Sequence, residues 1–228
     1  MAVVPEILTD ELDFPPLETA DPDGLLALGG DLGVERLICA YENGIFPWYA
    51  EGYPILWWSP DPRYVLFPDR LRISASMQRI MKSGRFEVTL DSDFESVINA
   101  CRSVPRPGQE GTWITDDMVS AYSHLHEQGY AHSVETWHMG KLAGGLYGVS
   151  LGGAFFGESM FARESNASKA ALIQLVDHLA ASGASLIDCQ VQTNHLDSLG
   201  AEPVPRSRFL ELLKDALTME TRRGSWAA

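Results

Sequence analysis

The chain has 228 residues, 45% hydrophobic and 10% aromatic, which is enough to bury a core in one large or two smaller domains and excludes a disordered polymer. Its formal net charge of -14 would exclude a nucleic-acid partner if the charge were evenly spread, because phosphate binding depends on cations. It is uneven: residues 1–60 set eleven acids against Arg36 alone, whereas Arg63, Arg70, Arg72, Arg79, Lys82 and Arg85 face only Asp69 between residues 63 and 85. That stretch can form a local basic surface on an acidic protein, or simply a solvated helix face.

In chain order, residues 1–60 read as an irregular segment punctuated by proline and glycine, with one helix over 33–43 stopped at Asn43-Gly44. The tract IFPWYAEGYPILWWSPDPR then crowds Trp, Tyr and four prolines around turns, a composition suited to rigid aromatic walls. From Arg63 the rhythm becomes β/α: a strand over 64–67, a helix from about Ser74, a strand over 86–90, and a helix from Asp91 or Ser92 to about Val104. Pro105 and Pro107 forbid its continuation. A third helix is capped by Thr115, carries Asp116 and Asp117 in its first turn, and ends at Gly129. Strands over 131–137, 141–150 and 153–161 follow with meander spacing. A long helix over 167–182, a strand over 185–191 and short helices over 193–199 and 207–218 complete the chain.

Cys39, Cys101 and Cys189 lie far apart without CxxC spacing, so packed thiols in a reducing compartment are expected. The first residues lack a basic n-region followed by an apolar h-region, and no run approaches eighteen apolar residues. The expectation is a cytoplasmic protein with no membrane partner. Gly157-Glu158-Ser159-Met160-Phe161 lacks the last glycine of a nucleophile elbow, and neither GxxxxGK[ST] nor GxGxxG occurs. His124 and His126 are two apart on a helix, and His132, His138, His178 and His195 stand alone, so no metal site and no cofactor is expected.

The most informative segment is FFGESMFARESNASK, where Glu158 interrupts an apolar strand-like run before a helix. The pattern recurs where Asp188 and Gln190 close the run Ser185-Leu186-Ile187. Two acids at strand ends beside large apolar side chains suggest a pocket for a ligand with a greasy and a cationic part. Structural carboxylates accepting backbone N–H bonds are the alternative.

These residues resemble the leucyl/phenylalanyl-tRNA protein transferases over roughly residues 14–213. The resemblance is carried by FPP (14–16), DGLLALGGDL (23–32), AYENGIFPW (40–48), ILWWSPDPR (55–63), TWI (112–114), FFGESMF (155–161), NASK (166–169), IDCQ (187–190), HLDSLGA (195–201) and Arg206 before Phe209. It implies an α/β (α+β) fold with a small N-terminal domain, residues 1–62, and an acetyltransferase-like mixed-sheet domain, residues 63–228. It also implies transfer of leucine or phenylalanine, with methionine a third candidate, from leucyl-tRNA or phenylalanyl-tRNA to the α-amino group of acceptor proteins beginning with Arg or Lys. The product is marked for regulated proteolysis, and neither DNA nor a membrane takes part.

In that frame Asp188 orients Gln190, whose amide oxygen accepts from the attacking amine, and Asp188 stabilises the charge developing on its nitrogen. Glu158 becomes the counter-ion for the acceptor's basic side chain or ammonium. Leu146, Phe155 and Met160 are expected to line the pocket for the transferred side chain, where family members often carry Met at the position of Leu146. Ordinary core packing is the plain alternative for each. The resemblance places Trp48 and Trp113, with Tyr41 as companion, against the 3′ adenosine, while Arg63, Arg70, Arg72, Arg79, Lys82 and Arg85 hold tRNA phosphates. Two rivals remain. A coenzyme A-dependent N-acyltransferase needs a glycine loop that Arg163–Asn166 does not supply, and a non-catalytic adaptor for basic N-termini leaves the basic stretch and the tryptophans unexplained.

Overall fold

The computed structural model describes residues 5–104 and 112–227; Pro105 and Pro107, expected to stop a helix, lie outside the described residues. Two sheets organise the chain. The first has four strands in the order β1-β2-β4-β3, from β1 (Glu6–Leu8), β2 (Leu25–Gly29), β3 (Phe46–Pro47) and β4 (Leu56–Trp58), with helix α1 (Val34–Glu42) between β2 and β3. This sheet corrects the expectation of an irregular segment. Its strands are two to five residues long and broken by Pro and Gly, too short for a period of two to register. Arg36, the lone cation of this region, is fully buried. It donates to Thr9 O and Glu11 O at 2.9 Å each and pairs with Asp31 at 2.9 Å, tying the first residues to α1.

The second sheet has seven strands in the order β11-β5-β10-β9-β8-β7-β6. It is built from β5 (Arg63–Leu66), β6 (Glu87–Leu90), β7 (Ala131–His138), β8 (Lys141–Leu151), β9 (Ala154–Ala162), β10 (Leu186–Gln190) and β11 (Glu202–Val204). All neighbours are antiparallel except β9 and β10, which run parallel because the crossover helix α5 (Ala167–Ser182) joins them. The result is a mixed α/β fold. Helices α2 (Ala75–Lys82), α3 (Phe94–Ser103) and α4 (Asp116–Glu127) start on the side-chain caps Ser74, Asp93 and Thr115, each accepting a backbone N–H of the first turn. Helices α6 (Asn194–Leu199) and α7 (Arg206–Ala216) close the chain; β11 between them was not anticipated.

The sheet is covered on both faces, as alternation along its strands reveals. Leu146 and Phe155 pack with Leu172 and Leu175 of α5, whereas their neighbours Tyr147 and Phe156 pack with Val97 and Ile98 of α3. Glycines let these layers approach. A Cβ on Gly144 would lie 2.6 Å from the Ala167 methyl on one face, and one on Gly145 3.4 Å from Val97 on the other. Among the described residues no helix is long and apolar enough to cross a membrane.

Candidate active site

The site lies where β9 and β10 part. Their parallel pairing runs from Leu186↔Ala154 to Asp188↔Phe156, and just beyond it each strand carries a bulge. On β9, Gly157 pairs with Gly148 and Ser159 with Tyr147, so Glu158 is the extra residue. On β10, Asp188 pairs with Val65 and Gln190 with Tyr64, so Cys189 is the extra residue. Bulges bend strands and re-aim side chains. Here they open a cleft of about 670 Å³ between the strand ends, within the usual size of a small-ligand site.

Leu146, Phe155 and Met160 all line this cleft, joined by Leu172 and Leu175 of α5 and Ile187 of β10. Trp48 and Trp113 stand on its wall; Trp48 is 37% exposed and packs against Trp58 at 5.8 Å between ring centroids. Glu158, Gln190 and Ser168 are buried polar residues in the lining.

Glu158 is held from behind by the helices of the other face. Its Oε1 accepts from Tyr41 OH at 2.8 Å and from Gln190 Nε2 at 2.9 Å, and its Oε2 from Tyr122 OH at 3.1 Å. The two tyrosine hydroxyls also lie in hydrogen-bond contact with each other, so their two protons are shared among three contacts. Burial pushes the Glu158 carboxyl up to about 7, although Tyr41, Tyr122 and Gln190 oppose the rise by donating to it and the charge of Asp188 adds to it. A carboxylate has about four acceptor positions, and these donors fill at most three. One on Oε2 remains for a cation or ammonium.

Asp188 is fully buried and does not line the cleft. It forms a two-pronged pair with Arg63, Nε to Oδ1 at 2.8 Å and Nη2 to Oδ2 at 2.7 Å, and its Oδ1 also accepts the Gln190 N–H at 2.9 Å. The Arg63 guanidinium lies between the rings of Phe46 and Phe209, 4.6 and 4.7 Å from their centroids. Gln190 therefore takes a left-handed backbone, φ +63, that few side chains adopt without support. With its Nε2 committed to Glu158, its Oε1 is the amide atom available to accept from a bound amine.

Two expected roles need correction. Arg63 is buried, not on the surface, so it cannot reach a tRNA phosphate; it pairs with Asp188, whose oxygens are thereby committed to Arg63 and the Gln190 N–H rather than to a nascent ammonium. Tyr41 is likewise fully buried and cannot stack on a base; its hydroxyl positions Glu158. Arg70, Arg72, Arg79, Lys82 and Arg85 are exposed, away from the cleft lining. Arg70 pairs with Glu202 at 2.7 Å and Arg85 with Glu164 at 3.0 Å. Two site residues were missed. Tyr122 looked like any apolar-face residue of α4, and His195, set aside as a lone histidine, lines the cleft with a buried Nε2 that has no partner. Among the described residues no group of three or more His, Cys, Asp or Glu could hold a metal ion.

A greasy cleft edged by a carboxyl and a primary amide on a mixed α/β fold suits an enzyme whose ligand has an apolar and a cationic part. Comparison with known proteins makes the class specific. A family model for leucyl/phenylalanyl-tRNA protein transferase matches residues 65–214, and one for the N-terminal domain of the same enzymes matches residues 30–61. A leucyl/phenylalanyl-tRNA–protein transferase of Syntrophus aciditrophicus (strain SB) is 59% identical over 214 residues, covering 94% of this chain and 90% of the relative. One from Syntrophobacter fumaroxidans (strain DSM 10017 / MPOB) is 57% identical over 219 residues, covering 96% and 94%. A GCN5-related N-acetyltransferase from Kribbella flavida is similar in structure at TM-score 0.35 and 13% identity, covering 73% of this chain and 59% of that one. A likeness that slight carries no argument, and the mixed α/β class rests on the sheet described above. The chain belongs to the leucyl/phenylalanyl-tRNA protein transferase family.

Proposed function

We propose that this enzyme transfers leucine or phenylalanine from aminoacyl-tRNA to the α-amino group of proteins that begin with Arg or Lys, creating a signal for regulated proteolysis in the cytoplasm. The observation that carries the reading is the adjacency of an apolar cleft and a buried carboxyl, Glu158, to which Gln190 donates. In the transfer the acceptor nitrogen attacks the ester carbonyl. The C–N bond forms, the bond to the ribose oxygen breaks, and the proton lost by the amine balances the one gained by the leaving hydroxyl. An ordinary α-amino group has a pKa of about 7.7 to 8.0, so on the order of a tenth is already neutral near pH 7. Positioning is then the main demand on the protein.

Gln190 Oε1 accepts an N–H of the amine, and Asp188 with Arg63 fixes the backbone from which it reaches. Glu158 offers its remaining lone pair to the cation of the acceptor. Leu146, Phe155 and Met160 take the transferred side chain, whose burial is worth about 1.5 to 3 kcal/mol for Leu or Phe. Trp48 and Trp113 stack on the terminal adenosine, and Arg70, Arg72, Arg79, Lys82 and Arg85 hold tRNA phosphates. A division near residue 62 into a smaller unit carrying Trp48 and a catalytic unit carrying the cleft suits both sheets.

The test mixes the purified protein with radiolabelled leucyl-tRNA and a peptide beginning with arginine. Labelled peptide is expected, and Glu158→Gln is expected to lose most of its rate on arginine- and lysine-starting acceptors. Absence of label with the wild type would refute the assignment, and acetyl transfer from coenzyme A in its place would favour an ordinary N-acyltransferase.

A further inference from the structure

Residues 218–227 follow the last helix and lie beyond the stretch that the family model matches. Their course is built rather than loose. Gly152 N–H donates to Thr221 Oγ1 at 2.9 Å, and Arg223 donates to Gln128 O through Nε and Nη2 at 3.1 and 3.0 Å while lying 4.5 Å over the Tyr130 ring. A Cβ on Gly129 would meet Gly224 N at 2.2 Å, so that turn leaves room for the segment only as glycine. The segment then delivers Trp226, whose N–H donates to Asp91 Oδ2 at 2.7 Å.

Asp91 holds three groups at once: Trp226 N–H, Ser133 N–H at 2.8 Å and His132 Nδ1 at 2.8 Å. The indole lies flat on the His132 ring, 3.7 Å between centroids at 3°, and 4.5 Å from His178 of α5. Its other neighbour is Phe155, at 6.1 Å. Phe155 is a wall of the cleft, and its ring lies on Gly148, where a Cβ would come within 2.6 Å of it. Trp226 belongs to the same packed cluster as Leu146, Phe155, Leu172 and Leu175, all of which line the cleft.

We infer that residues 218–227 are a strap whose Trp226 backs the Phe155 wall, making Trp226 a positioning residue that sets which transferred side chains the cleft prefers. The inference rests on the aminoacyl reading of the cleft. Phe155 can yield toward Trp226 only as far as the indole allows, and the indole is held in place by its flat contact on His132, itself bonded to Asp91. Removing the indole gives the wall room to retreat and deepens the cleft for the larger acyl group.

The experiment uses the full chain and two donors. Values of kcat/KM for leucyl-tRNA and phenylalanyl-tRNA are measured with one arginine-starting peptide, alongside Kd for leucyl- and phenylalanyl-adenosine analogues with an amide in place of the ester. Trp226→Ala is expected to shift both ratios toward phenylalanine by about 10-fold, the low end of what a small change in an apolar pocket produces. Trp226→Phe should shift them less. Ratios unchanged in the variants that fold, with only thermal stability reduced, would overturn the inference and leave the strap a structural one. If Trp226→Ala fails to fold, Trp226→Phe alone decides in the same way. Inactivity of the wild type with both donors would sink the proposed reaction instead, and the analogue binding ratio would still judge Trp226.

Discussion

Glu158 holds its proton more tightly in the folded chain than in the unfolded one, since burial raises its carboxyl from 4.5 to about 7. The sign is the reverse of a salt-bridged acid. The native state is favoured at low pH, and the contribution is full below about 4.5 and lost as pH climbs to about 7, an effect on the order of 3 kcal/mol. Glu158→Gln cannot titrate. Denaturant unfolding across this window should therefore show wild type losing stability relative to the variant as pH rises, whereas parallel curves would return Glu158 to an ordinary carboxyl. That Glu158 is special was legible from an acid amid apolar residues; that three donors reach it was not, because Tyr41, Tyr122 and Gln190 come from elements 117, 36 and 32 residues away. Arg63 is the converse case. Its sequence neighbourhood is basic, but pairing of β5 with β10, which sets Val65 opposite Asp188, brings the Arg63 guanidinium to a carboxylate 125 residues along the chain.

At the scale of elements, β8 and β9 decide how the cleft wall stands. A Cβ on Gly148 would meet Phe156 O at 2.2 Å and the Phe155 ring at 2.6 Å, and the carbonyl is part of a strand that cannot move alone. Gly148→Ala should cost about 1 to 3 kcal/mol by overpacking and raise KM for aminoacyl-tRNA as Phe155 is displaced. Thermal unfolding and steady-state kinetics check the pair, and a variant with native KM would separate Gly148 from the wall. Helix α5 runs from Ala167 to Ser182 as its Ala/Leu composition leads one to expect, the helix read from about Ser74 starts there, and the Thr115 cap stands where read. The four-stranded sheet escaped because strands of two to five residues take their identity from pairing partners, not from their own period.

At the scale of the whole molecule, a chain of net charge -14 carries five exposed cations, Arg70, Arg72, Arg79, Lys82 and Arg85, on one stretch. Salt should therefore weaken full aminoacyl-tRNA much more than an aminoacyl-adenosine that carries no phosphate chain, because counterion release scales with phosphates contacted. Titrating KM for both donors against ionic strength checks this, and equal slopes would remove the stretch from the tRNA path. Composition and local pattern by themselves determined the β/α alternation and most helices, and the motifs carried the family and several groups of the cleft, Glu158, Gln190, Leu146, Phe155 and Met160, since these depend on residue type and short-range spacing. Only the tertiary structure decided that β9 and β10 bulge apart at Glu158 and Cys189, that Arg63 and Tyr41 turn inward, and that Trp226 stands behind Phe155. Those outcomes depend on which distant strands pair and where their register slips, and no local period encodes that.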